Sequence, residues 1–244
     1  MSTAYFDIQL VDASTGKAII AAGGTVYVAP AGEENKKSLI NADTGAALTN
    51  PLTPTRGKIR FGVASTTPQE VSVDLYGITP AGRAFVVKAV QPGKPTEIFI
   101  DTIRREQTLI IPFSIADTTA ATETDTGFDL PTGVQVRPFP SIYVVDVDAT
   151  ETIDVGLLSS ESGGDADGFM VGLSVATGGH VDPTFATTVT QGALLKVTAT
   201  GAAAIIPESY VVGSTAKSIT YTLSAGSDTA TGFIQIPYVL APNA

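Results

Sequence analysis

The chain has 244 residues, 43% of them hydrophobic and 16% charged, with no cysteine and a formal net charge of −10. Such a length implies two domains of about 100–140 residues each, and the composition is that of an ordered globular protein, which excludes a disordered chain. The lack of cysteine excludes disulfides and thiolate metal sites, and no run approaches the roughly 18 apolar residues of a membrane span.

The opening MSTAYFDIQLVD has no basic stretch followed by an apolar run. The expectation is therefore a soluble protein without a signal peptide, made in a cytoplasm. Phe6, Ile8 and Leu10 alternate with Asp7 and Gln9, the period of a half-buried strand. Val71, Val73 and Leu75 repeat the pattern, as do Phe85, Val87 and Ala89, and further strands fit 24–29, 57–63 and 95–101. Between them stand turn clusters such as Pro30-Ala31-Gly32, Thr79-Pro80-Ala81-Gly82 and Gln91-Pro92-Gly93. The stretch from Glu33 to Ala47 reads as a long loop with room for one short helical turn.

The polar run Thr102-Ile103-Arg104-Arg105-Glu106-Gln107 is the expected boundary, dividing the chain into residues 1–103 and 104–244. Charge changes sign there. Residues 1–105 carry 11 Lys or Arg against 9 Asp or Glu, whereas residues 106–244 carry 3 against 15. A basic footprint is absent from the second half and weak in the first, so no nucleic acid is expected as a partner. An acidic face that keeps a crowded protein soluble is the plainer account of the second half.

Beyond the boundary, strands are expected at 107–115, 133–137, 141–148, 151–157, 168–175, 193–199, 217–224 and 232–240. Ile219, Tyr221 and Leu223 alternate with Thr220 and Thr222, and the abundant Thr, Val and Ile suit a pleated sheet. The runs Thr124-Asp125-Thr126-Gly127-Phe128 and Thr229-Ala230-Thr231-Gly232-Phe233 are alike and read as equivalent strand starts in one sandwich. The whole is an all-β chain of two β-sandwich domains, the first a putting-together of short strands for docking and the second acidic and jelly-roll-like.

Catalytic chemistry finds little support. There is one histidine, His180, in a run that reads as a surface turn (Thr177 to Pro183), and without cysteine no nucleophile has a ready base. Gly172-Leu173-Ser174-Val175-Ala176 lacks the second glycine of a nucleophile elbow, and Ser14-Thr15-Gly16-Lys17 lacks the leading glycine of a phosphate loop and reads as a hairpin turn. Asp165 and Asp167, two residues apart among glycines, are weak candidates for a cation. A third acid and the bidentate glutamate of a calcium loop are missing, Ala176 standing where that glutamate belongs. Asp146 and Asp148, with Glu151 and Asp154 nearby, form a second acidic pair. Paired carboxylates can also cleave glycosidic bonds, but such sites carry aromatic platforms and this chain has no Trp. The expectation is no enzyme, no catalytic residue and no cofactor.

The run from Phe6 to Ile19 resembles the first strand and turn of transthyretin-like and carboxypeptidase-regulatory-like sandwiches, modules that support and connect. Asp146 to Gly156, followed by Glu161 to Phe169, resembles tailed-bacteriophage virion structural proteins that decorate or brace a capsid. That resemblance implies a protein of the virion, made in the host cytoplasm and repeated over a shell. It would contact the major capsid protein or other virion proteins and its own copies, as a homo-oligomer with a trimer favoured. A tail, neck or baseplate component fits the same traits. The alternative is a carbohydrate-binding or host-adhesion module that uses the loop carboxylates Asp165 and Asp167, with calcium.

Overall fold

The computed structural model describes residues 2–19, 23–68, 70–93, 95–100, 106–114, 121–185, 189–198, 205–224 and 229–240. Regular structure among them is all strand, apart from one 3-10 turn at Ala193–Leu195. Backbone contacts divide the chain into two compact units, Met1–Arg105 and Glu106–Ala244. Of the polar run expected to join them, Thr102 to Arg105 lies outside the described residues.

The first unit contains β1 (Ser2–Asp12), β2 (Thr25–Pro30), β3 (Leu39–Ile40), β4 (Ala47–Leu48), β5 (Lys58–Ser65), β6 (Val73–Ile78), β7 (Ala84–Val90) and β8 (Pro95–Ile100). They form a five-stranded sheet, β4-β3-β5-β1-β8, and a three-stranded sheet, β2-β6-β7. The β1–β8 pair is parallel and the β1–β5 pair antiparallel. Alternation on β1 sends Ala4, Phe6, Ile8 and Leu10 into a core shared with Val26, Val28, Val73 and Leu75 of the other sheet. Phe6 and Phe61 stack with ring centroids 4.8 Å apart. Each such fully buried side chain stabilises the fold by about 1.5–3 kcal/mol.

The loop expected at 33–47 instead holds the short hairpin β3–β4, and no helical turn is present. Asn41 makes the turn: its Oδ1 accepts the N–H groups of Asp43 and Thr44 at 2.8 and 3.0 Å. A second asparagine covers the outer edge of β2 beside the backbone bridge from Val26 to Leu52. Asn50 Oδ1 accepts the Val28 N–H at 3.0 Å while its Nδ2 donates to the Val28 carbonyl at 2.6 Å, so the side chain stands in for a neighbouring strand.

The second unit contains β9 (Glu106–Ser114), β10 (Thr124–Leu130), β11 (Gln135–Val136), β12 (Ser141–Asp146), β13 (Thr152–Leu157), β14 (Asp165–Ser174), β15 (Gly179–Val181), β16 (Lys196–Thr198), β17 (Ile205–Pro207), β18 (Tyr210–Val211), β19 (Lys217–Leu223) and β20 (Thr231–Val239). One sheet runs β10-β19-β13-β14. In the other, β20 lies between β9 on one side and β12 and β11 on the other, with β15 beyond β12 and β18 beyond β11. The sheet orders β9-β20-β12-β15 and β10-β19-β13-β14 interleave as the two Greek keys of a jelly roll, the architecture expected for this half. Phe113 on β9 lies 6.2 Å from Tyr221 on β19, and Phe169 on β14 lies 6.2 Å from Tyr210 on β18. Aromatic rings thus bridge the two sheets across the core.

The two similar Thr-Gly-Phe runs do enter strands, but in opposite sheets: Thr124 opens an edge strand, whereas Thr231 opens the central strand of the other sheet. The strand expected at 193–199 begins as a 3-10 turn and becomes strand only from Lys196.

Candidate functional site

Asp165 and Asp167 sit in a wide bulge of β14. Val155 pairs with Met170 and Leu157 with Asp165, so that Gly156 alone faces residues 166–169. A Cβ on Gly156 would stand 2.0 Å from the Asp165 carbonyl oxygen, which is why glycine is needed there. Burial raises the Asp165 carboxyl above its usual range, and a hydrogen bond to the Asp167 carboxyl, with the charge of that neighbour, adds to the rise. Behind the bulge, Gln191 is fully buried and donates its amide to the Phe169 carbonyl at 3.1 Å. Its Oε1 is buried without a partner.

Four other acidic residues of this unit each accept from a separate group. Asp146 accepts the Thr231 hydroxyl at 3.0 Å, Asp148 accepts the Thr150 N–H and hydroxyl at 3.1 Å each, and Asp154 accepts the Gly172 N–H at 2.6 Å. Glu151 is buried against the Ser224 hydroxyl. Among the described residues, no group of three or more His, Asp or Glu is arranged to hold a metal ion.

His180 is not in a turn. It lies on β15, the edge strand beyond β12, exposed and 2.8 Å from Asp182. The backbone register places it beside Tyr143, which in turn pairs with Phe233 and, through it, with Pro112. Tyr143 is exposed and Phe233 partly so, whereas Pro112 is buried. Tyr143 is 45% exposed, and Val145 and Val147, next along the chain, are 42% and 47% exposed. Ser174 uses its hydroxyl to accept the Ala176 N–H at 3.2 Å. The Ser14–Lys17 run is a turn, Asp12 Oδ1 accepting the Ser14 N–H at 2.7 Å.

A feature not singled out in the sequence lies on the first unit. Thr55 and Lys58 exchange two backbone hydrogen bonds of 3.0 Å around Arg56 and Gly57, whose φ angles are 51° and 71°. Two left-handed central residues make this a type I′ turn, which favours Asn, Asp or Gly. From the turn, Lys58 and Arg60 follow on one face of β5, bordering a cleft of about 610 Å³ that Asn41, Asp43 and Leu52 also line. Arg60 is tied to Asp43 at 3.1 Å and lies 3.8 Å from Asp7. The signal in the sequence was the alternation Arg-Gly-Lys-Ile-Arg, which places three cations on one side of a hairpin.

The chain matches no protein-family model, and no curated protein and no solved structure is significantly similar to it.

Proposed function

We propose that this chain is a non-enzymatic virion structural protein that decorates or braces a phage shell through contacts with shell subunits and with its own copies. The observation that carries the reading is the outer face of the β9-β20-β12-β15 sheet. Tyr143 stands half exposed on it, in register with the partly exposed Phe233, and Val145 and Val147, next along the chain, are half exposed as well. Clustered apolar side chains turned outward are what a surface made to be covered presents. His180 stands exposed beside Asp182, Asp148 accepts the Thr150 N–H in a turn, and Asp154 accepts the Gly172 N–H of the neighbouring strand.

The test is the mass of the purified chain by light scattering, together with co-sedimentation with shells that lack it. A closed oligomer, or stable attachment to shells, is the expected result. A monomer that ignores shells overturns the reading.

A further inference from the structure

The cations of the first unit are placed along a line. Lys58 and Arg60 are two residues apart on one face of β5, a separation of about 7 Å, and Arg56 continues the series at the turn. Arg60 is held by Asp43 and Asp7, whereas Arg56 and Lys58 have no ion-pair partner among the described residues. Arg56 moreover occupies a left-handed position, a placement that costs a non-glycine residue about 1–2 kcal/mol. A local rule broken in favour of a charge is expected where the charge serves an outside partner. A single phosphate would call for donors converging on one point. This row instead matches carboxylates spaced along an extended chain, and the cleft beside it leaves room for them.

The acids that fit are in the same polypeptide. Residues 106–244 carry 15 Asp or Glu against 3 Lys or Arg, with Asp125 and Asp129 exposed on the edge strand β10. We propose that the cleft bordered by Arg56, Lys58 and Arg60 receives the acidic unit of a second copy of this chain. The proposal rests on the assembly reading above and names one of its contacts. A contact between unlike surfaces is heterologous, so it propagates a ring or an array, as repetition over a shell requires. Opposite charges also speed the encounter and select against docking of like units.

The test is sedimentation of the full chain at low and high ionic strength, about 0.02 M and 0.5 M, since contacts between exposed charges are screened within a few ångströms at the higher value. The double variant Arg56→Gly, Lys58→Gln removes two cations, relieves the left-handed arginine and keeps Arg60 with its two acids. Assembly at low salt that weakens at high salt, and falls roughly tenfold or more in the variant while its thermal stability is kept, is the expected outcome. If the wild-type chain and the variant assemble alike, the cleft is not the contact, although the assembly reading stands. A wild-type chain that stays monomeric yet binds shells overturns the second copy as occupant and spares that reading, whereas a monomer that binds nothing sinks both. Binding of inorganic phosphate by the wild-type chain, lost in the variant while assembly is unchanged, would assign the cleft to a small oxyanion and overturn the proposal.

Discussion

Asp74 accepts the backbone N–H of Ala89 at 2.8 Å, and by that bond a carboxylate on β6 holds the bulge of β7 in which Ala89 is left-handed, with φ 54°. The same carboxylate accepts the Gly32 N–H at 3.0 Å and the Lys88 ammonium at 2.9 Å. Its side chain is 2% exposed. Burial by itself would raise the Asp74 pKa, but the two N–H groups and Lys88 outweigh it and hold the carboxyl below its usual value of 3.8.

Because the folded pKa is depressed, the stability contributed by Asp74 is fully present above the unfolded value and is lost as pH falls through the folded one. Asp74→Ala is expected to destabilise the first unit by about 2–3 kcal/mol near neutral pH, because two N–H groups lose their acceptor and the Lys88 ammonium loses its carboxylate. Urea melts of the wild type and the variant should converge as the pH is lowered below the usual carboxyl range. A difference that persists unchanged in acid would show that the effect is packing rather than charge.

Gly156→Ala brings a methyl group to within 2.0 Å of the Asp165 carbonyl oxygen, where the nearest atoms are all backbone and none can swing aside. A cost of about 3 kcal/mol or more is expected, at the upper end for overpacking. The comparison is Gly163→Ala in the same hairpin, whose Cβ would meet nothing within 4 Å but whose φ of 76° is left-handed, and whose cost should stay near 1–2 kcal/mol as an estimate for strain alone. Equal losses in denaturant midpoint would contradict the assigned close approach.

Ser224→Ala removes a hydroxyl that does two things at the end of β19. It accepts the Thr152 N–H at 3.0 Å and donates to the buried Glu151 carboxylate, whose other oxygen, Oε2, already lacks a partner. The variant leaves a fully buried carboxylate without its donor, and a loss of roughly 2 kcal/mol is expected. The double variant Ser224→Ala, Glu151→Gln should recover part of it, a coupling that a double-mutant cycle reads directly.

Deleting residues 232–244 is expected to abolish folding of the second unit. Thr231–Val239 pairs with β9 along one side and with β12 and β11 along the other, so its loss opens a sheet in the middle rather than at an edge. Near-ultraviolet circular dichroism of the second-unit tyrosines reports this. A truncated chain that still melts cooperatively in two steps would rule it out.

Strands long enough to show a period were legible in the sequence. Phe6-Ile8-Leu10, Ile219-Tyr221-Leu223 and Ile234-Ile236-Tyr238 all send their apolar members inward as the alternation implies. Short elements were not legible, because two or three residues cannot display a period: β3, β4, β17 and β18 fall in that class. β10 was hidden differently. Its run Thr-Asp-Thr-Gly-Phe-Asp-Leu buries a threonine hydroxyl, which donates to the Ile219 carbonyl at 2.7 Å, so polarity did not mark its outward face. His180 was misread because glycines before it and a proline after it suggest a turn, yet β12 supplies a strand for it to pair with. Asp165 and Asp167 were picked out by spacing, but only the register of β13 reveals that they sit in a bulge. The cleft by Arg56 escaped notice because its members come from β5 and from the β3–β4 turn, which are adjacent only in the folded sheet.

The place of β20 between β9 and β12 also bears on how the second unit comes into being. The partners Ser114 and Thr231, like Glu106 and Val239, stand at opposite ends of that unit's sequence. Until Thr231–Val239 has been synthesised, β9 and β12 wait with an unfilled lane between them, and pairings of such long range form slowly. A β20 that seats in the vacant lane of a neighbouring nascent chain would make the same backbone bonds as in its own. The event that closes the jelly roll is therefore also the moment at which two young copies can exchange strands, so the rate of synthesis and the local crowding of ribosomes would govern how much of the product is intertwined.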